Sequence, residues 1–193
     1  MSKRTALVVF VSFMAFGLAL FALVSNGYYP VAFVDGAAVM NREFEKNYRV
    51  ALHSLDAAGN IARRAEGALP LAAVSHLDIE RAVFTELIEQ RLIRAELARE
   101  LGDDARRVVQ NQLEKFADDA ALRDAARNLY GLSFEEFRDD ILVPQAERDV
   151  LDGRLFLEGR ELDEWLSDAK RTSRVRIFSG TLFWDGAEVQ ARQ

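Results

Sequence analysis

The chain has no cysteine, two histidines and three prolines in 193 residues. Without cysteine there is no disulfide framework, no thiolate nucleophile, no zinc–thiolate site and no lipidated-cysteine anchor. His53 and His76 are too few for a histidine-rich metal centre, and each reads as a surface or boundary residue beside a helical run. Positive charge is also scarce: 25 Lys and Arg stand against 31 Asp and Glu, a net charge of −6. This balance argues against nucleic acid or an anionic bilayer as the main partner, since both need a basic surface. No serine sits in a Gly-x-Ser-x-Gly setting, no glycine spacing makes a phosphate loop, and no 20–50-residue period repeats.

Apolar residues are plentiful but unevenly spread. Ala6–Val24 runs for 19 residues without a charge and holds four of the thirteen phenylalanines. As a helix it reaches about 28 Å, close to the roughly 30 Å of a bilayer's hydrocarbon core. A cleaved signal peptide is the competing reading, with Ser25-Asn26-Gly27 as a small-residue cleavage site, although its apolar region usually spans about 7–15 residues. A buried core helix is the third reading, and such a helix rarely lacks a polar face. Lys3 and Arg4 precede the segment, whereas only Arg42 follows within twenty residues. The positive-inside rule therefore places the N-terminus in the cytoplasm and everything from Ser25 outside it. Tyr28 and Tyr29 fall where an interfacial aromatic belt would lie. Because Lys3 and Arg4 are the only charges among residues 1–24, the remaining 169 residues carry a formal charge of −8.

Two regions follow from this: residues 1–24, a cytoplasmic tip with a transmembrane anchor, and residues 25–193, a helical domain with its core at about 31–184. Val31–Val34, Asp35-Gly36 and Ala37–Val39 read as a hairpin. Asn41 caps a helix carrying Phe44, Tyr48, Ala51, Leu52 and Leu55, which Gly59 ends. Residues 59–74 form a partly helical connection. Ser75-His76-Leu77-Asp78 opens the strongest helix, with a stripe at Ile79, Val83, Phe84, Leu87, Ile88, Leu92, Ala95, Ala98 and Leu101, and Gly102 stops it. A third helix runs from about Asp104 to Gly131. Ser133-Phe134-Glu135-Glu136 is a capping box, and Pro144 must kink or break the helix it starts. That helix continues through Leu151, Leu155 and Phe156 to Gly159, and a short one follows over Glu161–Lys170.

Arg174–Trp184 alternates and is rich in β-formers, so it reads as one strand. A lone strand leaves its backbone groups unpaired. The other strand-like segment, Val31–Val39, lies at the opposite end, so the two ends are expected to pair around a helical body. The expected fold is mainly α: a membrane-anchored helical domain with a small sheet of N- and C-terminal strands.

No constellation of reactive side chains emerges. Asp103-Asp104, Asp118-Asp119, Glu135-Glu136 and Asp139-Asp140 are adjacent pairs whose side chains diverge by about 100° on a helix, which does not make a shared-proton dyad. They read as caps and solvated faces. Asp35, Asp139 and Asp140 lack the spacing of a calcium loop. The basic run Lys170–Arg176 fits either an acidic partner, lipid headgroups, or the negative end of a helix. Phe178, Leu182 and Trp184 are expected on one face of the last strand, as a partner surface or buried against helices. No catalytic, cofactor or metal residue is assigned, and no residue is assigned to peptide binding.

The order of elements resembles a known family. Val31-Ala32-Phe33-Val34-Asp35-Gly36 with Asn41-Arg42-Glu43-Phe44 looks like the opening of SurA/PpiD-type N-terminal domains, which accompany parvulin prolyl isomerases in extracytoplasmic folding factors. Phe84–Ile93 with Ala98-Arg99-Glu100-Leu101-Gly102 is similar to that family's central helix. Tyr130–Arg138 resembles its Gly-Leu-Ser turn, and Pro144 falls where relatives often carry a proline. The resemblance covers about residues 31–184 and implies a chaperone domain that binds unfolded, exported or membrane-inserting polypeptides on the periplasmic side of a bacterial inner membrane. One departure matters: Leu155–Gly159 runs directly into Glu161–Lys170, where relatives insert a parvulin domain of roughly a hundred residues, and no parvulin-like strand, His or Gly-Gly pattern occurs. A single-pass, chaperone-like protein that assists folding without isomerase activity is therefore expected. The alternative is a structural or assembly subunit docked on a membrane protein complex.

Overall fold

The computed structural model describes residues 21–64, 74–116 and 119–192, with positions 12, 14 and 16–18; of residues 61–64 only the backbone is described. The expected membrane span, Ala6–Val24, lies largely outside these residues. Among the described residues no helix is long and apolar enough to cross a membrane.

The chain after Tyr29 begins as expected. Strands β1 (Pro30–Val34) and β2 (Ala37–Met40) pair antiparallel across a two-residue turn. Asp35 and Gly36 both have positive φ, 48° and 89°, the backbone a tight right-twisting hairpin requires. Asp35 also reaches across to the other end of the domain. Its main-chain amide donates to the Arg174 carbonyl, and its carboxylate accepts from the Arg174 amide at 2.8 Å. The turn thus holds the start of β3 (Val175–Ile177), which pairs with β1 in the register Ala32↔Ile177, Phe33↔Arg176 and Val34↔Val175. The two ends of the domain do meet, in a three-stranded sheet of order β2-β1-β3.

Helix α1 (Asn41–Arg64) runs past Gly59, longer than the sequence suggests. Helix α2 (His76–Leu101) is the axis of the molecule. Ser75 caps it, its hydroxyl accepting from the Asp78 amide at 3.1 Å. It touches β1, α1 and the elements that close the domain: α3 (Asp104–Glu114), α6 (Val143–Leu157), α7 (Leu162–Thr172) and β5 (Val189–Ala191). The expected stripe holds for Ile79, Val83, Phe84, Leu87, Ile88 and Leu92, but the C-terminal half buries Ile93 and Leu97 and exposes Ala95 and Ala98. Branched side chains remove more apolar area from water than a methyl does, so they set which side of the helix turns inward.

The expected helix from Asp104 to Gly131 is two pieces. Helix α3 ends by Lys115, and α4 (Ala120–Ala125) restarts at Asp119, whose carboxylate accepts from the amides of Ala121 and Leu122. A wider π-helical turn, Ala126–Tyr130, then ends at Gly131 with φ 67°. Ser133 and Glu136 form the expected capping box at α5 (Phe134–Phe137). Pro144 neither breaks nor sharply ends the helix that follows. Residues Arg138–Leu142 widen into a second π-helical turn, with the Val143 amide reaching the Arg138 carbonyl, and α6 resumes with Pro144 in its first turn. Widening the helix ahead of the ring relieves the clash a proline makes one turn back.

The last expected strand is also two. Ser179-Gly180 interrupts it, with the Ser179 hydroxyl accepting from the amides of Thr181 and Leu182. Strand β4 (Leu182–Trp184) then pairs with β5 in a second hairpin. Leu87, Ile88, Leu97, Leu151, Leu155 and Leu182 form the driest part of the core.

Candidate functional site

The residues singled out in the sequence are scattered across the fold. His76 Nδ1 lies 2.6 Å from the Tyr48 hydroxyl, so it bridges the body of α1 and the first residue of α2. His53 is exposed on α1, its ring packed against Gly131. No group of three or more His, Asp or Glu is placed to hold a metal among the described residues. Asp119 and Glu136 are caps, Asp140 pairs with Lys46, and Asp139 pairs with Arg138. In the basic run, Lys170 donates to Glu89 at 2.9 Å and Arg171 pairs with Asp168, while Arg174 and Arg176 remain exposed. Phe178, Leu182 and Trp184 do not share a face. The break at Ser179-Gly180 leaves Phe178 half out in solvent, edge-on to Phe33, and sends Leu182 fully into the core.

Gly131 is required twice over. Its φ is positive, and a Cβ there would stand 3.2 Å from the His53 ring. Gly131→Ala is expected to lower stability by about 1–3 kcal/mol, from left-handed backbone strain and crowding together, as read from urea unfolding midpoints.

What the sequence did not single out is a groove beside α3. Among the described residues this helix buries only Val109. It lies across α2 and α6, and two depressions of about 690 and 520 Å³ open along it, sharing Gln110, Leu113 and Val143. Their floor is apolar: Leu97 and Val109 in the first, Phe116, Phe134 and Leu142 in the second. Leu113, Phe116, Phe134, Leu142 and Val143 are only half-buried. Arg94 and Glu147 stand on the rim of the first depression as a bidentate pair at 2.9 and 2.8 Å, which locks α2 to α6 and fixes the wall. The only sequence signal for the groove is the spacing of Val109, Leu113 and Phe116, which also suits an ordinary core helix.

Charged staples hold the frame behind the groove. Glu89 of α2 accepts from Arg148 of α6 and Lys170 of α7, and Glu100 accepts from Arg154. Glu96 is held below the usual carboxylate range, chiefly because Arg99 donates to it, with Trp165 adding a smaller contribution. A depressed folded-state value means this stabilisation is complete above the ordinary Glu pKa of about 4.3 and disappears as pH falls through the lower folded value. Glu96→Gln is expected to flatten the acid limb of a stability-versus-pH curve below about pH 4.5 by under 1 kcal/mol, and to leave the curve's shape near pH 7 unchanged.

A second apolar feature lies at the end of α6, where Phe156 and Leu157 are 78% and 85% exposed. Adjacent helical residues point apart, so together they present a broad knob rather than a packed stripe. No family model, curated protein or solved structure matches this chain.

Proposed function

We propose that the protein is a membrane-anchored, chaperone-like domain that holds unfolded or exported polypeptides outside the cytoplasm, in the manner of SurA/PpiD-type N-terminal domains, without isomerase activity. The observation that carries this reading is the α3 groove: an apolar lining, half-buried at Leu113, Phe116, Phe134, Leu142 and Val143, in an otherwise strongly charged, acidic domain, with a charge-paired rim. Such a surface suits extended apolar segments of many sequences, because it offers area and shape with few directional bonds. Binding is passive, and the anchor raises the local concentration of the groove at the membrane where clients emerge. The test uses the full chain in nanodiscs, mixed with an unfolded outer-membrane polypeptide diluted from urea. Light scattering should fall in proportion to the protein added. Unchanged scattering at severalfold excess would remove the proposal.

A second reading rests on Phe156 and Leu157, whose exposure is unusual for side chains with no client-like groove around them. In that reading the domain is an assembly subunit docked on one membrane complex. Affinity purification in mild detergent separates the two: a single stoichiometric partner, lost in Phe156→Ser/Leu157→Ser, supports the subunit, and many substoichiometric chains support the holdase.

A further inference from the structure

One face of α1 carries positive charge that the fold neutralises only in part. Arg42, Lys46, Arg49 and His53 fall at intervals of four, three and four residues, a single stripe along about 16 Å of helix. They line one side of a pocket of about 390 Å³, and the loop Tyr130-Gly131-Leu132 with Glu136 closes the other. Lys46 is paired with Asp140, and the Glu136 carboxylate is occupied by the amide and hydroxyl of Ser133. Arg42 and Arg49 meet no carboxylate among the described residues. Arg42 donates to the Tyr28 hydroxyl at 2.6 Å and covers that ring, and Arg49 reaches only the Glu45 carbonyl of its own helix. In a chain of net charge −6, two exposed guanidinium groups left without carboxylates in one concavity, with a lysine between them, present positive charge open to an anion.

We propose that this pocket binds a phosphate group, carried either by an anionic lipid headgroup or by a soluble phosphate ester. Phosphate suits it better than carboxylate. One guanidinium satisfies both oxygens of a planar carboxylate, whereas the oxygens of a tetrahedral phosphate, even the two free ones of a diester, point out of any single plane and can be shared by two guanidinium groups and an ammonium. Its position bears on the lipid source. The Arg42 amide donates to the Gly27 carbonyl, and its side chain grips Tyr28, so the pocket begins where the chain leaves the helical segment 21–25. If that segment ends an anchor, the pocket lies within reach of the headgroup layer, where each nearby basic residue adds attraction to anionic lipid. The phosphate site does not depend on the chaperone reading, and only the lipid source rests on the anchor.

The two histidines make the test direct. The full chain in uncharged maltoside micelles is labelled at histidine and titrated with inorganic phosphate, with dihexanoyl-phosphatidylglycerol and with dihexanoyl-phosphatidylcholine. The His53 ring resonances are followed, and His76, held by Tyr48, serves as reference. The expected result is a saturable shift at His53 alone, weakened about tenfold in Arg42→Gln and in Arg49→Gln, and unaltered in Arg107→Gln, an exposed arginine on α3. Saturation by phosphatidylglycerol at concentrations where inorganic phosphate has no effect assigns the lipid source, and equal saturation by inorganic phosphate assigns the soluble one. The proposal fails if neither ligand moves His53, if phosphatidylcholine moves it as far as phosphatidylglycerol, or if Arg107→Gln weakens binding as much as Arg49→Gln does.

Discussion

Removing residues 174–193 is expected to leave a chain that no longer unfolds cooperatively. This segment supplies Ile177, Leu182 and Val189, at 8%, 0% and 2% exposure, to the same core that α2 crosses. Burial of such side chains contributes about 1.5–3 kcal/mol each, roughly 5–9 kcal/mol together. A domain of this size is stable by about 5–15 kcal/mol in total, so the loss takes at least about a third of it and up to all of it, before the lost strand pairing is counted. The deletion also strips β1 of its β3 partner and leaves the Asp35 carboxylate without the Arg174 amide. Urea unfolding followed by far-ultraviolet circular dichroism provides the check. A sharp transition at an unchanged midpoint in the truncated chain would show that the helices stand without the terminal strands.

Leu113→Asp is expected to reduce client holding by about ten- to a hundredfold while costing little stability. Leu113 lies where the two depressions along α3 meet, and it is only half-buried. A carboxylate at that point must lose water when an apolar client segment covers it. Remaining partly wet at the groove's edge, the carboxylate costs at least what a neutral polar group does on burial, about 1.4–2.7 kcal/mol within the usual range of roughly 1–3, which is the stated range in affinity. In the folded domain without client the same carboxylate keeps its water, so the unfolding midpoint should move only slightly. The measurement is the protein concentration giving half-suppression of client aggregation, beside a urea melt of the same sample. Equal suppression by Leu113→Asp and the parent chain would place client binding elsewhere, with Phe156 and Leu157 the next surface to alter.

Both expectations separate what local sequence carries from what it does not. As turn and cap signals, Asp35-Gly36, Ser75, Ser133-Glu136, Gly102 and Gly131 act through neighbours within a few residues, whatever more distant contacts Asp35 and Gly131 also make. A turn or a helix cap is decided by backbone geometry and short-range hydrogen bonds, so these are legible before any fold is known. The hairpin at Asp185-Gly186 carries the same dipeptide as the first one, yet β5 was not among the expected strands. There the Asp185 carboxylate accepts from the amides of Ala187 and Glu188, which hold its pKa down. The turn signal is present in that dipeptide, but the three residues of β5 are too short a run to show alternation on their own. Gly59 and Pro144 went the other way. Each is a helix breaker in isolation, yet α1 continues through the first and a π-helical turn absorbs the second. Local propensity is worth about 1 kcal/mol at a glycine and about 3 kcal/mol at a proline, which tertiary packing or a change of helix pitch offsets.

From sequence alone came the acidic balance, the separation of an apolar N-terminal segment from a helical domain, the caps and turns, and the meeting of the two ends. The last followed because the C-terminal strand showed no strand-like segment other than the N-terminal hairpin with which to pair its backbone groups. Tertiary structure alone decided which apolar residues remain half in water. Val109 and Leu113 share one helical period and both line the groove, but Val109 is buried while Leu113 stays half in water, a difference of packing that periodicity does not encode. The lack of cysteine and the two histidines are plain in the composition, but the surfaces of the fold are not. The fold gave those surfaces places: an apolar groove along α3, and a cationic pocket on α1 assembled from residues that in sequence are only a solvated helical stripe.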